Sequence, residues 1–220
     1  MIKAVIFDMD GVLIDSVEIG FQARKKLLAQ YGVDLETIPD PQGENHRAAS
    51  LKMLLASVKA HSGIDIDYDE FARISRERMR SDLQEHGVSA DPHLITFLNE
   101  LKERGIKCAI VSSGLREGVD IKLDVLGIGQ YFTTIVTGSD VSKHKPNPHP
   151  YLFALKKLAL SPEDCVVFED SATGVQAALA AGCKVVGFMQ YAPPAKPLLG
   201  VVAMVKNWQD VNYDKLEAIL

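Results

Sequence analysis

Cysteine is scarce in this chain: Cys108, Cys165 and Cys183 are the three among 220 residues, and no two form a CxxC pair. An odd number without paired spacing gives neither a disulfide framework nor a thiolate metal motif. Each cysteine sits in or beside an apolar run, as expected of small buried thiols in a reducing compartment. Long hydrophobic runs are also missing, so a membrane span is excluded. The chain opens directly on a strand-like run with no recognisable signal peptide, and the expectation is a cytoplasmic protein. Positive charge is in deficit: 24 Lys and Arg stand against 29 Asp and Glu, a net charge of -5. That balance argues against a nucleic-acid or anionic-membrane partner. An anionic substrate would then require a local positive site. No glycine-rich phosphate loop follows the first strand, which argues against a nucleotide-binding dehydrogenase.

What is present is a large apolar fraction, 47% of residues, enough for a sizeable core. Five short runs are rich in valine and isoleucine: 3–8, 107–113, 134–138, 165–170 and 184–188. Most are continuously apolar, as suits strands of a parallel sheet covered on both faces. A sixth, 201–205, fits an edge strand. Helical patterns lie between them: 93–105, 115–127, 151–160 and 171–182, with Ser171 placed as an N-cap. Alternation of strand and helix predicts a doubly wound, mostly parallel α/β sheet.

One interval breaks the alternation. About a hundred residues separate the first two runs, where a crossover needs roughly a dozen or more. Helix-like stretches fill it, so a helical subdomain over 16–88 is expected, inserted into an α/β core formed by 1–15 and 89–220.

The strand ends carry the chemistry, because ligands of open α/β sheets bind at the carboxyl ends of the strands. The first run ends in Asp8 with Asp10 two residues on. The second ends in Ser112, Ser113 and Gly114, the third leads to "GSDVSKHKPNP" with Lys143 and Lys145, and the fourth ends in Glu169 and Asp170. Singly, each has a bland reading: turn residue, helix cap or solvated lysine. Together they place repelling carboxylates at one edge, which calls for a cation. Mg²⁺ prefers oxygen ligands and would draw a phosphate into an acidic cleft. Serine hydroxyls, helix-start N–H groups and a lysine could cradle that phosphate. Asp15 and Ser16 suit the start of a helix, either of them as N-cap.

In order and spacing, "DMDGVLIDS", "IVSSG", the lysine of "KHKPNP" and "VVFEDSATG" resemble the four motifs of the haloacid dehalogenase-like (HAD) superfamily. The resemblance covers the core, about two thirds of the chain, and places the insertion where that family carries a helical cap. It implies that Asp8 is the nucleophile forming an aspartyl-phosphate and Asp10 the general acid and base, with its backbone carbonyl on Mg²⁺. Ser112, with Ser113 and Gly114, would bind phosphate together with Lys145, which fits the motif better than Lys143. Asp170 would be a direct Mg²⁺ ligand and Glu169 a second, with Asp8 also on the ion. An acid at Asp10 points to phosphate esters, since dehalogenating and phosphonate-cleaving relatives lack it.

In the cap, substrate contacts are expected from Glu44, Asn45, His46 and Arg47, with Lys52 one helical turn beyond. Among capped relatives the sequence resembles β-phosphoglucomutases and sugar-phosphate phosphatases. The mutases carry a histidine where this chain has Gly20, and their cap arginine is matched only loosely by Gly43 and Arg47. Those departures favour hydrolysis of a small phosphorylated metabolite over the mutase alternative. A phospho-acceptor switch is weaker still, since a switch needs neither a cap nor a leaving-group acid. A monomer or weak dimer is expected.

Overall fold

The structure, a computed structural model, describes residues 1–39, 51–191, 194 and 196–219. The chain divides into two compact units, Met1–Ile14 with Ser89–Leu220, and Asp15–Val88.

The first unit begins with strand β1 (Ala4–Phe7), buried along its whole length. The second unit contains helices α1 (Val17–Gln30), α2 (Leu51–Ser62) and α3 (Tyr68–Glu85). The first unit then resumes with α4 (Pro92–Glu103), β2 (Lys107–Val111), α5 (Arg116–Leu126) and β3 (Phe132–Val136). It continues through α6 (His149–Leu158), β4 (Cys165–Glu169), α7 (Ala172–Ala180), β5 (Lys184–Phe188), β6 (Ala203–Val205) and α8 (Tyr213–Ala218).

The six strands form one sheet in the order β3-β2-β1-β4-β5-β6, and every neighbouring pair is parallel. The doubly wound α/β class expected from the sequence is the observed one. On one face, Ala4, Ile6, Ala109, Val111 and Val167 pack with Tyr151, Ala154 and Leu155 of α6 and Val175 and Ala178 of α7. On the other, Phe7 stacks on Phe168 at 5.6 Å between ring centroids, and Trp208 reaches Phe188 at 4.5 Å and Phe97 of α4 at 6.0 Å. Burial on both faces is why these strands read as unbroken apolar runs rather than alternating ones. The three cysteines are free and buried. Burial pushes the Cys108 thiol up to about 12, where no reactive thiolate forms near neutral pH.

Helix ends follow the backbone. Gly127 closes α5 in the left-handed region. Helix α6 stops at Leu158, short of the expected 160, because Ala159 takes the left-handed conformation at φ 55. Ser171 accepts a hydrogen bond from Gly174 N at 3.0 Å and caps α7 as expected. At the start of α1 the expectation fails in part. Ser16 occupies the N-cap position, but at φ -117, ψ -6 its side chain makes no capping bond. A side-chain cap needs an extended backbone there. Asp15, exposed, lies one residue further out.

The second unit has its own core of Phe21, Leu28, Leu54, Val58 and Phe71. Among the described residues no helix is long and apolar enough to cross a membrane.

The strand order reverses between β1 and β4, since the chain runs outward to β3 on one side and to β6 on the other. In open α/β sheets that switch point is where ligands bind.

Candidate active site

Three strand ends meet on one ammonium group. Lys145 Nζ donates to Asp8 Oδ1 at 2.5 Å, just past β1, to the Val111 carbonyl at 2.9 Å at the end of β2, and to Glu169 Oε1 at 2.5 Å at the end of β4. The Lys145 side chain is 4% exposed. Burial works against its charge, but Asp8 and Glu169 outweigh it and hold the ammonium above its ordinary range. Lys143, the other loop lysine, is exposed.

Between Asp8 and Ile14 the chain turns tightly, with Gly11 N donating to the Ile14 carbonyl at 2.9 Å and Leu13 N to the Met9 carbonyl at 3.0 Å. Met9, Val12, Leu13 and Ile14 are buried, so the turn is anchored by its apolar side chains. Trp208 Nε1 donates to the Val12 carbonyl at 3.3 Å. Gly11 sits at φ +84, and a Cβ there would stand 1.8 Å from Asp170 Oδ2. The glycine therefore serves both the turn and the close approach of a carboxylate.

Glu169 is fully buried and fully engaged. Oε1 accepts from Lys145 and from the Tyr151 hydroxyl at 2.7 Å. Oε2 accepts from Asp170 N, Ser171 N and Ser171 Oγ at 3.1, 3.3 and 3.1 Å. Burial pushes the Asp8 carboxyl up to about 7, with Lys145 pulling against it and Glu169 adding to the rise. Burial, then repulsion from Asp8 and Glu169, pushes Asp170 up to about 9.

These carboxyls fit a hard cation. Asp8, Glu169 and Asp170 each offer an oxygen, all within 4.8 Å of one another. The donor set is all oxygen, and two of its members are costly to ionise until a positive charge arrives. Because Glu169 already carries hydrogen bonds on both oxygens, Asp8 and Asp170 are the more available of the three.

The remaining site residues fall as follows. Ser112 is 4% exposed, and its Oγ accepts from Gly114 N at 3.0 Å, while Ser113 is exposed. The Gly114 carbonyl accepts from Gly138 N at 2.8 Å, joining the loops after β2 and β3. Asp10 lies on the turn after β1 and takes a bond at Oδ1 from Lys122 Nζ. Lys52 is exposed on α2. Gly43, Glu44, Asn45, His46 and Arg47 lie outside the described residues.

Two buried contacts were not anticipated from the sequence, Tyr151 behind Glu169 and Lys122 beside Asp10. Tyr151 carries no distinguishing signal, because an aromatic in an apolar helix reads as core. Lys122 does carry one. It stands on the stripe Val119, Lys122, Leu123, Leu126, a charge at a core-facing position.

The sequence pattern of the haloacid dehalogenase-like hydrolase family matches residues 5–188. A phosphorylated carbohydrates phosphatase of Thermotoga maritima is 31% identical over 221 residues, spanning 96% of this chain and 97% of that protein. Hexitol phosphatase A of Escherichia coli is 30% identical over 203 residues, 92% of this chain and 89% of that one. In fold, CbbY from Rhodobacter sphaeroides, solved in complex with phosphate, superposes with a TM-score of 0.83 at 24% identity, covering 96% of each chain. With the switch-point carboxylates and lysine in place, and the family pattern running from β1 through β5, the chain belongs to the haloacid dehalogenase-like hydrolases.

Proposed function

We propose that this enzyme is a Mg²⁺-dependent phosphatase that hydrolyses a small phosphorylated metabolite, a sugar phosphate in particular, through an aspartyl-phosphate on Asp8. The observation that carries the reading is the single ammonium of Lys145 bridging Asp8 and Glu169 at the switch point of the sheet. Relatives that act on phosphorylated carbohydrates and hexitol phosphates support the substrate class.

In this reading a carboxylate oxygen of Asp8 attacks phosphorus as the bond to the leaving oxygen breaks, and Asp10 gives that oxygen its proton. Asp10 then takes a proton from the water that attacks the phospho-aspartate, freeing phosphate and restoring Asp8. Lys145 balances charge on the phosphoryl group, while the Ser112 hydroxyl, oriented by the Gly114 N–H that donates to it, and the loop N–H of Ser113 hold its oxygens. A bound Mg²⁺, held by Asp8, Asp170 and the Asp10 carbonyl with Glu169 behind them, would supply the positive charge that lets an anion enter this acidic site. The inserted helical unit is read as a cap, with Glu44, Asn45, His46 and Arg47 as its substrate contacts.

The test is a panel of phosphorylated sugars and other small phosphate esters with MgCl₂, followed for both inorganic phosphate and isomerised product. Phosphate release without isomer is expected, lost in Asp8→Asn. An isomer would select the mutase, and neither product would select the phospho-acceptor switch.

A further inference from the structure

Helix α5 buries a stripe of Val119, Lys122, Leu123 and Leu126. Three of these are ordinary core residues, but Lys122 puts an ammonium among them with its side chain only 9% exposed. A lysine in such a place is unfavourable unless its charge is matched. Its Nζ donates to Oδ1 of Asp10, 112 residues away in sequence, and Asp10 is the more open partner at 31%. The two buried lysines of the site thus divide its carboxylates. Lys145 serves Asp8 and Glu169, and Lys122 serves Asp10.

We propose that Lys122 is a positioning residue for Asp10. Its ammonium grips Oδ1 and so fixes the rotation of the carboxyl group, presenting Oδ2 as the oxygen that exchanges a proton with the substrate. As the bond between phosphorus and the leaving oxygen breaks and the Asp8 oxygen–phosphorus bond forms, the Oδ2 proton passes to the leaving oxygen. Because α5 is held in the core by Val119, Leu123 and Leu126, the grip comes from a rigid element rather than from the loop that carries Asp10. The inference rests on the reading of Asp10 as the acid given above.

Leaving-group dependence tests it. An alkoxide leaves poorly without a proton, whereas p-nitrophenolate leaves readily, and kcat/KM reports the steps up to and including departure of the leaving group. The measurement compares kcat/KM for an alkyl phosphate turned over by the wild type with that for p-nitrophenyl phosphate, both with Mg²⁺. Wild type, Asp10→Asn, Lys122→Met and Lys122→Arg are compared, with folding checked by circular dichroism. Asp10→Asn should lose more on the alkyl ester than on the aryl ester. Lys122→Met should show the same bias in kcat/KM, by about tenfold or more. Lys122→Arg, which keeps a charge at the same place, should recover most of the loss.

Equal losses in kcat/KM on the two esters in Lys122→Met would overturn the inference while leaving Asp10 in its role if Asp10→Asn still discriminates. If Asp10→Asn itself shows no bias, the acid assignment falls and Lys122 falls with it. Should Lys122→Met not fold, Lys122→Gln and Lys122→Arg carry the same comparison.

Discussion

The Tyr151 hydroxyl donates to Glu169 Oε1 at 2.7 Å, in a place where neither side chain meets solvent. The same Glu169 oxygen receives Lys145, whose ammonium also lies 5.1 Å from the centre of the Tyr151 ring. Tyr151 therefore supports the Lys145–Glu169 pair through both a hydrogen bond and a ring face. Tyr151→Phe keeps the ring and removes the bond. It should lower stability by about 1–3 kcal/mol, the cost of a buried acceptor losing a donor. For a domain of this size that is roughly 2–4 °C in Tm per kcal/mol. Turnover should fall more than KM rises, because Lys145 loses its support and not its contact with Asp8. Urea denaturation and steady-state kinetics on one preparation check both.

Gly11 and Asp170 make the second test. An alanine at 11 would have to push Asp170 aside, since its Cβ would stand 1.8 Å from Oδ2, and would also hold φ at +84. Gly32 gives the matched control, with φ +74 and nothing within 4 Å of an added Cβ. Gly32→Ala should cost only the left-handed strain of about 1–2 kcal/mol. Gly11→Ala should cost at least that much and also raise the Mg²⁺ concentration needed for half-maximal activity. Identical Mg²⁺ titrations for the two variants would remove Asp170 from the metal site.

The core was legible because a parallel sheet buried on both faces leaves a plain trace. Runs such as "AVIF" and "CVVFE" have no polar alternation, and each ends where a polar cluster begins. Asp8, Glu169 and Asp170 were read from that coincidence and Lys145 from the motif resemblance, and the structure brings the four within a few ångströms of one another. Contacts made from behind were harder to see. Tyr151 looks like any core aromatic until its hydroxyl is seen to face Glu169. Lys122 left a trace that helical periodicity could have raised, a lysine three residues after Val119 and four before Leu126 on a buried face. Ser16 misled because its residue type suits a cap while its backbone does not. Residues 44–47, expected from the sequence to contact substrate, lie outside the described residues.

Asp8→Asn tests the nucleophile. The amide keeps the volume of the carboxylate and leaves Lys145 its bonds to Glu169 and the Val111 carbonyl, so the fold should survive. Turnover should drop below detection in a phosphate-release assay, and wild-type protein quenched in acid during turnover should carry phosphate that the variant does not. Steady phosphate release from a folded Asp8→Asn protein would remove Asp8 from the mechanism.

The acidic cluster also predicts how metal and pH act together. Asp8 and Asp170 carry folded-state values raised from 3.8 to about 7 and about 9. Between pH 4 and 9 the metal-free folded protein therefore holds more protons at these sites than the unfolded chain does. The sign follows: stability from these groups is full below about pH 4 and is lost as pH rises through about 7 and then 9. Lys145, raised above its ordinary range, keeps its charge across this window and adds no slope. Asp140 is lowered, net of a burial effect that opposes the bonds from Thr137, so its contribution is lost only on the acid side. A divalent cation binds the ionised carboxylates and displaces their protons, so its stabilising effect should grow with pH. In EDTA the urea midpoint should fall between pH 5 and 9. In excess MgCl₂ the fall should be much smaller, and metal binding near pH 7 should release protons measurable in weak buffer. Asp8→Asn should flatten the EDTA curve, because it removes the first of the two raised groups. Parallel EDTA and MgCl₂ curves, with no proton release, would mean that Asp8 and Asp170 do not hold the ion.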